Sequence, residues 1–153
     1  MSYDVALFFR HPVFPAAPWR EVLAYFEIAE LGVHSGRGSE SVLAQWCVTD
    51  ADALVQLELR DVRPDRYRKP PGTHWQVFIA RVGHLPRAAW LQLALCHHAL
   101  TLLDDVVFYD LQLDVSIADR AMYAAFASER LRTHGATLMQ KLGLLDPEGR
   151  VLF

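Results

Sequence analysis

The chain has 153 residues, 52% of them hydrophobic, with 15 basic and 18 acidic side chains and a formal net charge of −3. That length fits one domain, 1–153, with enough apolar content to bury a core without staples. The charge balance excludes a global field that draws the protein to nucleic acid or anionic lipid, so neither is an expected partner.

"SYDVALFFR" reads as a first strand, with Tyr3, Val5, Leu7 and Phe9 on one face and Asp4, Ala6, Phe8 and Arg10 on the other. The N-terminus has no basic leader, and its apolar run is too short for a signal peptide or a spanning helix. The expected location is therefore cytoplasmic. Pro12, Pro15 and Pro18 break the strand, and a helix is expected from about Pro18 to Leu31, with Gly32 as its stop. Its stripe is Val22, Phe26 and Ala29, supported by Trp19 and Tyr25.

"SGRGS" marks a turn, and "SVLAQWCV" beyond it carries Val42, Ala44, Trp46 and Val48 on one strand face. "TDAD" turns the chain back. "ALVQLELRDV" alternates Val55, Leu57 and Leu59 against Gln56, Glu58 and Arg60, and "HWQVFIARV" alternates Trp75, Val77 and Ile79 against His74, Gln76 and Phe78. Between these half-buried strands lies "DVRPDRYRKPPG", a Pro-rich basic loop too long for a simple hairpin.

A helix from about Pro86 to Asp104 groups Leu91, Leu95 and Leu102, widened by Cys96, Ala99, Leu100 and Leu103, and leaves His97, His98 and Thr101 on the polar side. Asp104-Asp105 suits the exit, because Asp tolerates left-handed and turn conformations. "VVFYD" is a short apolar strand. In "SIADRAMYAAFASERLR", Ser116 and Asp119 approximate a capping box before a helix whose stripe is Ile117, Ala121, Ala124, Ser128 and Leu131. Met122, Tyr123 and Phe126 point elsewhere on that reading, which leaves Met122 and Phe126 open to a homodimer. The final residues form a turn and tail. The expected architecture is α+β: an antiparallel or mixed sheet of four to six strands, two helices on one face and a C-terminal helix, ferredoxin-like with a split βαβ.

Catalytic and metal chemistry find little footing. His97 and His98 are adjacent and diverge by about 100°, whereas two helical ligands of one ion sit four apart. No GxSxG, HExxH or phosphate-cradling loop is present. Cys47 and Cys96 sit among apolar neighbours without metal spacing, so reduced thiols are expected. No cofactor, metal or catalytic residue is assigned.

The informative surface is a sheet face. Gln45, Gln56 and Gln76 each sit mid-strand opposite the apolar set, and period 2 aligns them with Phe8, Leu43, Cys47 and Phe78. Either the last helix covers this face or it is a recognition surface.

The run from "HWQVFIARVG" through "PRAAWLQLALCHHALTLLDDVVFYDLQ" to "SIADRAMYAAFASERLR" resembles the second half of the ZipA C-terminal domain. The resemblance rests on Val106, Val107, Phe108, Asp110 and Gln112 and covers about half the chain. Similar endings occur among small immunity-type proteins that neutralise bacterial toxins. Both resemblances imply a bacterial protein that acts by binding another protein, and no contact residue carries over.

The leading expectation is a non-catalytic protein-binding module, an immunity-type inhibitor or adaptor acting by steric occlusion. Phe8, Leu43 and Phe78 would be its apolar anchors, and Gln45, Gln56, Glu58 and Gln76 would give directional bonds. The competing expectation is a small-molecule or catalytic pocket between sheet and helices, lined by Trp46, Trp75 and His74. A third, RNA binding through the basic loop, requires steep salt dependence.

Overall fold

In chain order the elements are β1 (Ser2–Phe9), α1 (Ala16–Tyr25), β2 (Ala29–Gly32), β3 (Val42–Asp50), β4 (Ala53–Asp61), β5 (Trp75–Val82), α2 (Pro86–Leu102), β6 (Val106–Asp110), β7 (Val115–Ile117), α3 (Arg120–Arg132) and α4 (Ala136–Lys141). The computed structural model describes residues 2–32, 42–50, 53–62, 70–83 and 85–153. The "SGRGS" turn and the basic-loop residues Arg63, Asp65, Arg66, Tyr67, Arg68 and Lys69 lie outside the described residues.

The strands form one sheet in the order β2-β3-β4-β5-β1-β6-β7, with every neighbouring pair antiparallel. β1 is buried on both faces from Val5 to Phe9, with the main core on one side and the Phe8 cluster on the other. Because β5 and β6 both run antiparallel to β1, they are parallel to each other, and β5–α2–β6 is a βαβ unit split by β1. The fold is thus the expected α+β arrangement, with seven strands among the described residues where four to six were expected, the sheet being extended at its edges by the short β2 and β7.

The helices lie on one face. α2 packs over β4, β5 and β6, with α1 and α3 beside it. The main core joins Val5, Leu7 and Phe9, Val55, Leu57 and Leu59, and Val77 and Ile79 to the buried sides of all four helices. On the other face a smaller cluster gathers Ala6, Phe8, Val107 and Tyr109, with Val62 and Leu111 against it.

Several boundaries differ from the sequence reading. The first helix ends at Tyr25 rather than Leu31, because Glu27 turns left-handed (φ 55°) and the amides of Glu27 and Ile28 close back on Ala24 and Leu23. The residues beyond pair with β3 as β2, so sheet pairing overrides an apolar spacing that also suits a helix. Of the expected stripe Val22 is buried and Phe26 packs against the core; of its two supporting residues Trp19 is buried and Tyr25 is 66% exposed, and Leu23 is buried as well.

α2 stops at Leu102, and Asp105 takes the left-handed conformation (φ 58°) expected of the exit. Of its expected face Leu95, Cys96, Ala99, Leu100 and Leu103 are buried, while Leu102 is exposed and Leu91 half-buried, and burial extends to Ala88 and Gln92. Contact with two helices and the sheet broadens the covered arc beyond one amphipathic stripe.

The last long helix starts three residues later than a Ser116 cap requires. Asp119 is the N-cap and accepts the Met122 amide (2.9 Å), while Ser116 lies in β7. Tyr123 is fully buried and Phe126 packs on the core, their rings 4.9 and 5.3 Å from Phe108. Of the two residues reserved for a homodimer, only Met122 is exposed.

Candidate functional site

Strand register places the predicted residues. Gln45, Glu58, Phe78, Ala6 and Tyr109 form one cross-strand row on the helix-free face; Cys47, Gln56, Ala80 and Asp4 form the next; Arg60, Gln76, Phe8 and Val107 form a third. The β3–β4–β5 flank of these rows is accessible, with Gln56 exposed and Gln45, Glu58, Arg60 and Phe78 half-buried. Gln45 Nε2 donates to Glu58 Oε1 (3.2 Å), Arg60 pairs with Glu58, and the Arg60 guanidinium lies 5.1 Å from the Phe78 ring centre. The four residues make one connected patch that offers an amide, a carboxylate, a cation and an aromatic face.

Three expected contact residues do not belong to that patch. Phe8 is 1% exposed, beside Val107 and edge-on to Tyr109 (6.0 Å), and cannot reach a partner. Gln76, in the row between Arg60 and Phe8, is 6% exposed. Leu43 sits at the bulge where the β3–β4 register shifts between Val42 and Ala44, and there it packs against the main core. A bulge reverses the face that simple alternation assigns. Arg60 was missed as a contact residue, although its period-2 relation to Glu58 places it on this face.

Behind the same two strands, Ala44 and Trp46 of β3 and Leu59 of β4 face α1 across a cavity of about 290 Å³. Trp46 lines it as the pocket reading expects. Trp75 instead packs on Phe14 at 6.1 Å, and His74 is exposed. The main aromatic wall is Trp19, read in the sequence only as support for the helix, with its ring 5.8 Å from Trp46.

A third cluster ties β1 to β6 and α2. Tyr3 Oη donates to Asp110 Oδ2 (2.5 Å), the Leu113 amide donates to Oδ1 (2.9 Å), and the guanidiniums of Arg81 and Arg130 lie 4.8 and 5.0 Å from the Tyr3 ring centre. Arg81 Nε donates to Gln92 Oε1, and Gln92 Nε2 donates to the carbonyls of Tyr3 and Ile79. Burial and then the Asp110 hydrogen bond raise the Tyr3 phenol above its ordinary value, and burial lowers the Arg81 guanidinium. The space between these groups is about 10 Å³, room for no more than a water. The cluster is a clamp, because its polar groups satisfy one another.

The two histidines of α2 engage different rings. His98 stacks on Tyr25 and His97 on Phe153, each at 4.2 Å. Among the described residues no three His, Cys, Asp or Glu side chains converge to hold a metal ion, and no helix is long and apolar enough to cross a membrane. Cys47 and Cys96 are free thiols. No family model, curated protein or solved structure matches the chain.

Proposed function

We propose that the chain is a non-catalytic protein-binding module, an immunity-type inhibitor or adaptor that occludes its partner sterically through the β3–β4–β5 flank of the sheet. The observation that carries this reading is the accessible patch of Gln45, Gln56, Glu58, Arg60 and Phe78 on the face that the helices leave uncovered. Sheet faces that serve only as solvent boundary carry scattered polar residues. Here an aromatic ring sits under a guanidinium that is itself fixed by a carboxylate, and Phe and Arg are among the residue types enriched at interfaces.

The test is affinity capture of the tagged protein from lysate of its own cells, run beside Phe78→Glu and Gln56→Arg. A stoichiometric partner captured by the wild type and lost from both variants, with unchanged far-UV circular dichroism, is the expected result. Equal capture by all three proteins removes this face. Light scattering of the purified protein separates a second copy of the chain from a foreign partner.

A further inference from the structure

On the helix side, away from the proposed docking patch, residues Leu144 to Phe153 fold back as a hairpin against α2 and α3. Its body is tied down. Leu145 pairs with Val151, the Leu152 amide donates to the Leu144 carbonyl, Arg132 donates to the Gly149 carbonyl, and the Val151 amide donates to Ser128 Oγ (2.9 Å). Its last two residues are held differently. The Leu152 carbonyl accepts from Trp90 Nε1 (2.6 Å), and the Phe153 ring stacks on His97 (4.2 Å, 13°). Trp90 and His97 lie two turns apart on α2, so these two contacts span about 10 Å of the helix. Leu152 and Phe153 are nonetheless 45% and 40% exposed, and the Phe153 amide makes no main-chain hydrogen bond among the described residues. Segments with so few buried contacts open locally at little cost.

The surroundings of His97 decide what closes and opens this segment. The fully buried Tyr123 of α3 lies nearly parallel to both the His97 and the Phe153 rings, 6.3 Å from each. The charged groups that bear on His97 are His98 beside it on α2 and Arg120 on α3, while Arg150 of the hairpin is paired with Asp146 and Glu148. No carboxylate pairs with His97 among the described residues. A proton on its ring therefore adds a positive charge beside Arg120 and under an apolar ring that keeps water away. Burial first, and then His98 and Arg120, hold the imidazole below its ordinary value. We infer that Leu152–Phe153 is an acid-released latch, closed over α2 while His97 is neutral and opened when His97 takes up a proton, which uncovers Tyr123 and frees the Trp90 indole. The coupling is reciprocal: the factor by which closing weakens proton binding at His97 is the factor by which protonation weakens closing.

The test is an NMR titration of the full chain from about pH 7.5 to about pH 5, following the Trp90 indole N–H and the Leu152 amide beside the His97 ring signals. Phe153→Ala removes a half-exposed ring and supplies the open-state positions of both reporters. In the wild type the two reporters should move toward those positions with the His97 midpoint, the open fraction rising at least about threefold, while the sheet amides stay in place. His97→Phe keeps a ring in the stack and takes no charge, so it should hold the latch closed across the range. His97→Gln, smaller and equally unable to take a charge, should show the same lack of pH response, and His98→Gln should keep the response. Reporters that ignore the protonation of His97 overturn the inference, as does a response that survives in both uncharged His97 variants. Movement away from the Phe153→Ala positions at low pH also overturns it, because that is the behaviour of a ring that grips the imidazolium.

Discussion

Tyr3 and Asp110, 107 positions apart, are joined by a 2.5 Å hydrogen bond from the phenol to a carboxylate with no exposed surface. The pair fastens the first strand to the end of β6 beside Arg81, itself nearly buried. Asp110→Ala should cost about 2–4 kcal/mol, because it leaves the Tyr3 hydroxyl and the Leu113 amide without their acceptor. Tyr3→Phe should cost about 1.5–3 kcal/mol, the range for a hydrogen bond to a charged group. In urea unfolding, a double-mutant cycle between the two positions should return a coupling of about 1–3 kcal/mol. Additive single effects would mean that the bond contributes nothing of its own.

Tyr123 and Cys96 are both fully buried and adjacent in the core, and burial raises each above its ordinary value. A raised folded-state value means that the unfolded chain gives up its proton first. The stability from these groups is then complete below the unfolded values of about 8.5 and 10, and it is lost as pH rises above them. Each group adds a slope of about 1.4 kcal/mol per pH unit in that window. Urea midpoints measured from pH 8 to 11 should show Tyr123→Phe flattening the decline above pH 10, and Cys96→Ala flattening it already from pH 9. An unchanged slope in Tyr123→Phe would place the phenol in water.

The sheet was legible because β4 alternates strictly from Val55 to Arg60, and its period 2 admits one reading of its faces, to which β5 and β1 register. Where the sequence misled, a non-local contact decided. Val22, Phe26 and Ala29 keep helical spacing, yet β2 forms because β3 offers an edge to pair with. Tyr123 looked displaced from its helix stripe because its burial comes from the α2–β6 side, where its hydroxyl donates to the Leu93 carbonyl. Gln45, Gln56, Glu58 and Phe78 were assembled correctly by alternation alone. Leu43 was lost to a bulge, and Phe8 to neighbours on β6 that no local pattern announces. The Trp19–Trp46 corner brings a helix to a strand across the layer, and such contacts leave no periodic trace.

The cap of α3 separates two readings of one motif. Asp119 accepts the Met122 amide, whereas Ser116 is an exposed residue of β7. Asp119→Ala should therefore cost about 1 kcal/mol, and Ser116→Ala should stay within about 0.5 kcal/mol of the wild type. Thermal or urea unfolding of the two variants decides it. Equal losses would restore Ser116 to the capping position.

His97 is half-buried, with its ring stacked on Phe153 at 4.2 Å and an interplanar angle of 13°. Burial first, and then the charges of His98 and Arg120, lower its imidazole below the ordinary value. The folded protein therefore favours neutral His97, while in the unfolded chain the ring takes up a proton near pH 6.5. The sign follows: this contribution to stability is complete above about pH 6.5 and is lost as the pH falls toward the lower folded value. An NMR titration should place the His97 midpoint below that of a free imidazole. Phe153→Ala, which removes the covering ring, should move the midpoint up toward 6.5 and flatten the fall in thermal stability between about pH 6.5 and 5. A midpoint that does not respond to Phe153→Ala would assign the shift to His98 and Arg120, and the stacked ring would then have no part in setting the acid limit of the fold.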